Sequence, residues 1–177
     1  MAVWTVIDHT ELSSTTVAWA EASISSSYKH LLLEASIRTT AIAYWQNLWI
    51  RVGNSGLDTG SNYSSTYLTN VNNSSLTSGR ATGQTKWAYQ YIHAAAAMAN
   101  AYGSLRIWLP NYADTTGYKQ AIIQTGLVMN TTSSSHSSLT RTAGVWHSTS
   151  AITNLEVSEP NAGMTQYSSF TLYGITA

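Results

Sequence analysis

Apolar and polar residues alternate with a period of two along several short stretches of this chain, and Ser, Thr, Asn and Gly fill the spaces between them. In Lys29–Arg38 the residues Leu31, Leu33, Ala35 and Ile37 share one side, while His30, Glu34 and Arg38 share the other. Leu48, Ile50 and Val52 likewise oppose Trp49 and Arg51, and Leu105, Ile107 and Leu109 oppose Arg106 and Trp108. Successive side chains of a strand point to opposite faces, so each stretch predicts a strand with one core face and one outer face. Similar patterns predict strands near Trp4–Asp8, Thr15–Ala20, Tyr63–Thr69, Thr85–Tyr91, Tyr118–Gly126, Ala143–Ser148, Ile152–Val157 and Phe170–Ile175. Many short strands at close spacing predict an all-β fold, a jelly-roll-like antiparallel β-sandwich formed as one domain over residues 1–177.

One segment breaks the pattern. His93–Ala101 reads HAAAAMANA, a strong helix former by propensity but too short to stand alone, which predicts one short helix or turn near 93–101 lying on the sandwich. Its small side chains also allow close approach by a second subunit. The polar segments SGLDTGSNYSS, TNVNNSSLTSGRATG and NTTSSSHSS read as connections long enough to serve as contact surfaces. In the first of these, Asp58 and Asn62 offer oxygens to a calcium ion or, more simply, form Asx turns.

Composition narrows the function. Charged residues are only 9% of the 177, eight basic against eight acidic, so the chain offers no field to attract nucleic acid or an anionic lipid surface. No run of apolar residues is long enough for a membrane-spanning helix. Cysteine is absent, which removes disulfides and thiolate-ligated metal. The first residues carry no secretory pattern, so synthesis in a cytoplasm is expected. The eight acids are scattered, the five histidines form no HExxH or HxH, and GxSxG does not occur. Neither catalysis nor a cofactor is therefore expected, although acids from distant strands can meet in a fold.

Aromatics, at 11% of the chain, are the remaining resource. Alternation places Trp49 and Trp108 on outer faces and Trp87 and Trp146 in the core. Exposed Trp and Tyr suit protein interfaces and sugar-stacking platforms, and two covered strand faces would bury them instead. Trp49, Trp108, Tyr112, Tyr63 and Tyr67 are the candidate contact residues.

The segments SSSYKHLLLEASIRT, NLWIRVGNSGLDTGSNYSSTYL, GSLRIWLPNYADTTGYKQAIIQTG and AITNLEVSEPNAGMTQYSSFTLYGI occur in an order that resembles a family of virion structural proteins of tailed phages, aquatic and cyanobacterial ones especially. The resemblance implies a β-sandwich displayed on the virus and offers no catalytic residues. From it we expect a capsid decoration (cement) protein, made in the host cytoplasm and placed on the capsid surface. There it would bind the major capsid protein as a homotrimer and stabilise the shell by bridging capsomers. The alternative is a receptor-binding or carbohydrate-binding module of a tail or fibre, and a polysaccharide depolymerase is the third class.

Overall fold

The computed structural model describes residues 2–71, 75–129 and 137–176. Twelve strands follow one another along the chain. They are β1 (Val3–Glu11), β2 (Ala18–Glu21), β3 (His30–Ile37), β4 (Trp45–Gly53), β5 (Tyr63–Val71), β6 (Thr77–Gln84), β7 (Trp87–His93), β8 (Gly103–Pro110), β9 (Lys119–Leu127), β10 (Ser138–Trp146), β11 (Asn154–Ser158) and β12 (Ser169–Thr176). Every ladder pair is antiparallel. Eight strands form one sheet in the order β1-β12-β3-β8-β9-β10-β5-β6, and four form a second in the order β2-β11-β4-β7. The two pack as a β-sandwich of unequal layers.

Alternation explains the packing. Leu31, Leu33, Ile37, Leu105, Ile107, Leu109, Phe170 and Leu172 of the large sheet meet Trp19, Leu48, Ile50, Val52, Leu155 and Val157 of the small one in one buried cluster. Trp19 lies flat on Phe170, ring centroids 5.1 Å apart, across the two layers. Tyr63 ties the layers with a polar contact. Its hydroxyl takes the Val52 amide at 3.1 Å and lies 2.8 and 2.9 Å from the carbonyls of Val52 and Asp58.

Two places depart from the expected strands. β6 (TSGRATGQ) lies in a segment that reads as loop, because it carries no apolar alternation. It forms by pairing with β5 and stays largely exposed at the sheet edge, where polar side chains and Arg80 blunt further strand addition. β10 begins at Ser138, five residues before the expected Ala143, because its inward positions there are Ser138, Thr140 and Thr142.

The segment 93–101 forms turns, and the described residues contain no helix. Backbone bonding shows why its alanines do not coil. The amides of Ala94, Ala95 and Ala96 donate to the carbonyls of Tyr44, Ala41 and Ala43, joining the two passages that lead between the sheets at this end. The carbonyls of Ala95, Ala97, Met98 and Ala101 all accept from the Arg38 guanidinium, at 3.2, 3.3, 2.7 and 2.9 Å. A helix would have to surrender these bonds, and tertiary pairing outweighs a propensity of tenths of a kcal/mol per residue, about 0 to 0.7 for ordinary residues.

Candidate functional site

The large sheet has an outer face with no layer over it, and registers across its strands define what that face displays. One row runs Val6, Tyr173, Leu32, Trp108, Ile122, Ala143, Thr66, Arg80. The next runs His9, Thr171, Glu34, Arg106, Gln124, Arg141, Leu68, Ser78. An apolar, aromatic row thus lies beside a polar, charged one. Leu32 is covered despite facing outward, because bulky neighbours such as Tyr173 and Trp108 flank it in register.

Two of the hollows on this face adjoin one another. One, of about 380 Å³, is lined by Trp4, Leu32, Trp108 and Ile122 together with Arg106, Gln124 and Arg141. The other, of about 480 Å³, shares those last three residues and continues over Ser104, Gly126 and Leu139. Arg106, Gln124 and Arg141 therefore form a ridge between two adjoining depressions. Arg106 is engaged, with Nε and Nη2 at 2.6 and 2.5 Å from Glu34 Oε1. Arg141 is exposed, and among the described residues it makes no ion pair. Trp108 is half-buried and steadied by the His30 ring, centroids 4.9 Å apart.

Trp49 lies on the outer face of the small sheet, half-buried, and its ring is already occupied. Lys86 Nζ stands 3.9 Å above it and the Arg51 guanidinium 5.2 Å away. Arg51 also pairs with Glu156 at 3.3 Å. Burial, with Arg51 adding repulsion, lowers the Lys86 pKa, and the ring offers compensating attraction. This is a cation cluster rather than a free aromatic platform.

The expected tyrosine contacts need correcting. Tyr63 and Tyr112 are fully buried at 0% exposure. Tyr63 occupies an inward position of β5, and burial pushes its phenol well above the ordinary value. Tyr112, in the turn after β8, donates to the Ser25 carbonyl beneath the surface. Tyr67 also points inward, yet it is half-buried because the small sheet stops short of the β5–β6 edge. It stacks on Tyr89 at 4.3 Å, and Tyr89 holds a left-handed φ of 71° beside the irregularity in the β4–β7 ladder. Gly79 lies under the Tyr67 ring, and a Cβ there would come within 2.4 Å of the hydroxyl. Period-two reasoning applied to Tyr63 and Tyr67 would have turned both inward, as it did Trp87 and Trp146, which are core residues.

Asp58 builds a turn. Its carboxylate accepts from Gly60 N at 2.8 Å, Asn62 Nδ2 at 2.9 Å and Trp146 Nε1 at 2.7 Å. Burial opposes its charge, but these three donors win and hold its carboxyl below the usual carboxylate range. Among the described residues no three His, Asp or Glu side chains gather as a metal site.

Sequence reasoning offered 93–101 as a place for close subunit approach but left unassigned the passage 38–44 that joins it at one end of the sandwich. Ile42 is 98% exposed there, with Tyr44, Ala95, Ala96 and Met98 also open to solvent. Arg38 is the only charged residue in these two passages, and its N–H donors are taken up by backbone carbonyls. No protein-family model matches this chain, and the searches of curated proteins and of solved structures found no significant match.

Proposed function

We propose that this chain is a virion structural protein of the capsid-decoration type, attached to the major capsid protein as a homotrimer and bridging neighbouring capsomers. The observation that carries this reading is the apolar end around Ile42, Ala95, Ala96 and Met98, where Arg38 is the one charged side chain of the two passages. Apolar side chains open to water and grouped in one charge-poor patch mark a contact surface, and Ile42 is the most exposed large apolar residue among those described. At a symmetry axis residues meet their own copies, so a patch with a single charge held inward on backbone carbonyls assembles where a densely charged one would repel itself. Small residues let backbones approach closely, and the Arg38 bonds hold the loop in one shape before contact, which lowers the ordering cost of association. Binding that is available only in the assembled shell would then stabilise the shell by mass action.

The test is to locate and count the polypeptide in virions, with Ile42→Asp and Met98→Asp variants alongside. Many copies on the head, lost in both variants while the isolated fold survives, are expected. Copies confined to the tail, or attachment indifferent to both substitutions, would overturn the reading.

The second reading is a receptor-binding or carbohydrate-binding module of a tail or fibre. It is favoured by the paired hollows on the outer face, with Trp108 in one and the Arg141 ridge between them. Adsorption to host cells that falls in Trp108→Ala, with head stability unchanged, would select it.

A further inference from the structure

We infer that the outer face of the large sheet holds a binding site for an acidic polysaccharide, in which one hexuronate ring settles beside Trp108 and its carboxylate pairs with Arg141. The inference goes beyond shell attachment and gives the carbohydrate reading a ligand class. Its Trp108 hollow lies apart from Ile42, while the second hollow shares Ser104, Gly126 and Leu139 with the depression that reaches Met98, so Arg141→Gln and Ile42→Asp are the substitutions that let either reading fail alone.

Three observations lead to it. The first is the unspent charge. Arg141 rises from the middle of the sheet between Gln124 and Leu68, both neutral, while Glu34 on the same row is taken by Arg106. A guanidinium with no acid partner at the rim of a hollow favours a planar anion, and a carboxylate matches its fork. The second is the apolar floor and wall. Trp4, Trp108, Leu32 and Ile122 line the hollow on the other side of the ridge, and Trp4 is 57% exposed although it stands on the edge strand. A pyranose has one face of C–H groups and a rim of hydroxyls, so it needs an aromatic wall and polar rim together. The third is extension. A second hollow adjoins the first across the ridge, and its outer surface is kept low by Gly126, whose hypothetical Cβ would already press on Ser104 Oγ at 3.3 Å. A chain of sugars can continue into it past Gln124, which offers both a donor and an acceptor to hydroxyls.

Other occupants fit less well. A neutral glycan would leave Arg141 unpaired under its ring. A nucleic-acid backbone brings one charge per phosphate, whereas the ridge has a single net positive charge once Glu34 is counted. A single hexuronate ring in the Trp108 hollow brings one carboxylate to the one unpaired cation, Arg141, and the sugar that follows it into the second hollow is met through its hydroxyls.

The experiment titrates the whole purified chain with tetragalacturonate, its methyl ester and maltotetraose, followed by calorimetry or by amide shifts. The acid is expected to bind at least about tenfold more tightly than the ester, the effect of one charge-assisted pair. Arg141→Gln should bring the acid down to the level of the ester and leave the ester unchanged. Trp4→Ala should weaken acid and ester by the same factor. Both substitutions are at exposed positions, and an unchanged thermal melt verifies the fold. Equal binding of acid and ester, no shift at millimolar acid, or an Arg141→Gln variant that binds as the parent does would each overturn the site.

Discussion

The two halves of the sandwich interior follow the same alternation with different chemistry. One inward row of the large sheet reads Leu172, Leu33, Ile107, Ile123, Thr142, Tyr67, and the next reads Phe170, Ala35, Leu105, Thr125, Thr140, Thr69. Both rows change from hydrocarbon to hydroxyl at the middle of the sheet. On the hydrocarbon side the cluster is continuous with the small sheet. On the other side Thr69 and Thr140 share a bond of 2.7 Å between their hydroxyls, and Gln90 Nε2 donates to Thr142 at 3.1 Å. Three buried atoms in this region, Thr125 Oγ1, Gln90 Oε1 and His93 Nδ1, have no hydrogen-bond partner. In these rows one half is therefore held by area removed from water and the other by a polar set that is only partly satisfied, with Tyr63, Trp87 and Trp146 supplying the apolar packing beside it.

The sharpest way to break this comparison is a truncation on each side. Leu33→Ala, at a fully buried position, should cost about 2–5 kcal/mol in denaturant unfolding, as lost transfer energy plus a cavity. If it costs no more than a surface change, the hydrocarbon half is not the stabilising one. A smaller effect is expected across the hydroxyls. Thr140→Val alone should cost about 1–3 kcal/mol by stranding Thr69, while Thr69→Val with Thr140→Val should recover most of that loss, since apolar groups of the same shape replace both partners. A strictly additive double variant would show that the two hydroxyls do not act as a pair.

The smallest effect is a pH dependence at the boundary of the polar half. His93 is buried, its Nε2 facing the Val128 carbonyl at 3.2 Å. Burial lowers its pKa from 6.5, Arg38 adds to the lowering, and the Val128 bond opposes it. Above that range the ring is neutral in both folded and unfolded chains and contributes no pH dependence. As pH falls through it, the unfolded chain takes up the proton first, so stability drops. Melting followed from pH 7.5 to 5 should show a decline that is shallower in His93→Gln. Parallel curves for the two proteins would mean that the histidine is not the titrating group.

The same contrast sets how far the sequence could be read. Strands whose inward residues are Leu, Ile and Phe were visible with boundaries within a residue or two, as in β3, β8 and β12. The antiparallel sandwich follows from them. β10 was half hidden and β6 wholly so, because threonine, serine and glycine occupy the inward positions and alternation among polar residues leaves no hydrophobic signal. Trp108 was legible as an outward aromatic. The arrangement that gives it chemistry was not, because the Arg106–Gln124–Arg141 ridge depends on the exact registers of the consecutive strands β8, β9 and β10, which the residues of their connecting loops do not disclose. At the Ile42 end the 93–101 segment was legible as a close-approach surface, but its conformation and its pairing with 38–44 were not, since they are set by Arg38 and by backbone bonds between distant passages.

That Arg38 contact has a consequence for divergence. The guanidinium grips carbonyl oxygens, which every amino acid supplies, at positions 57 to 63 residues further along the chain. The loop is held by its main chain, so its outward side chains are released from the task of holding it. Met98 and its outward neighbours can be exchanged for other residues while the loop keeps its contour, and Ile42 likewise, since its passage is tied through the carbonyls of Ala41, Ala43 and Tyr44. A lineage could then alter what this end recognises without having to fold the end anew.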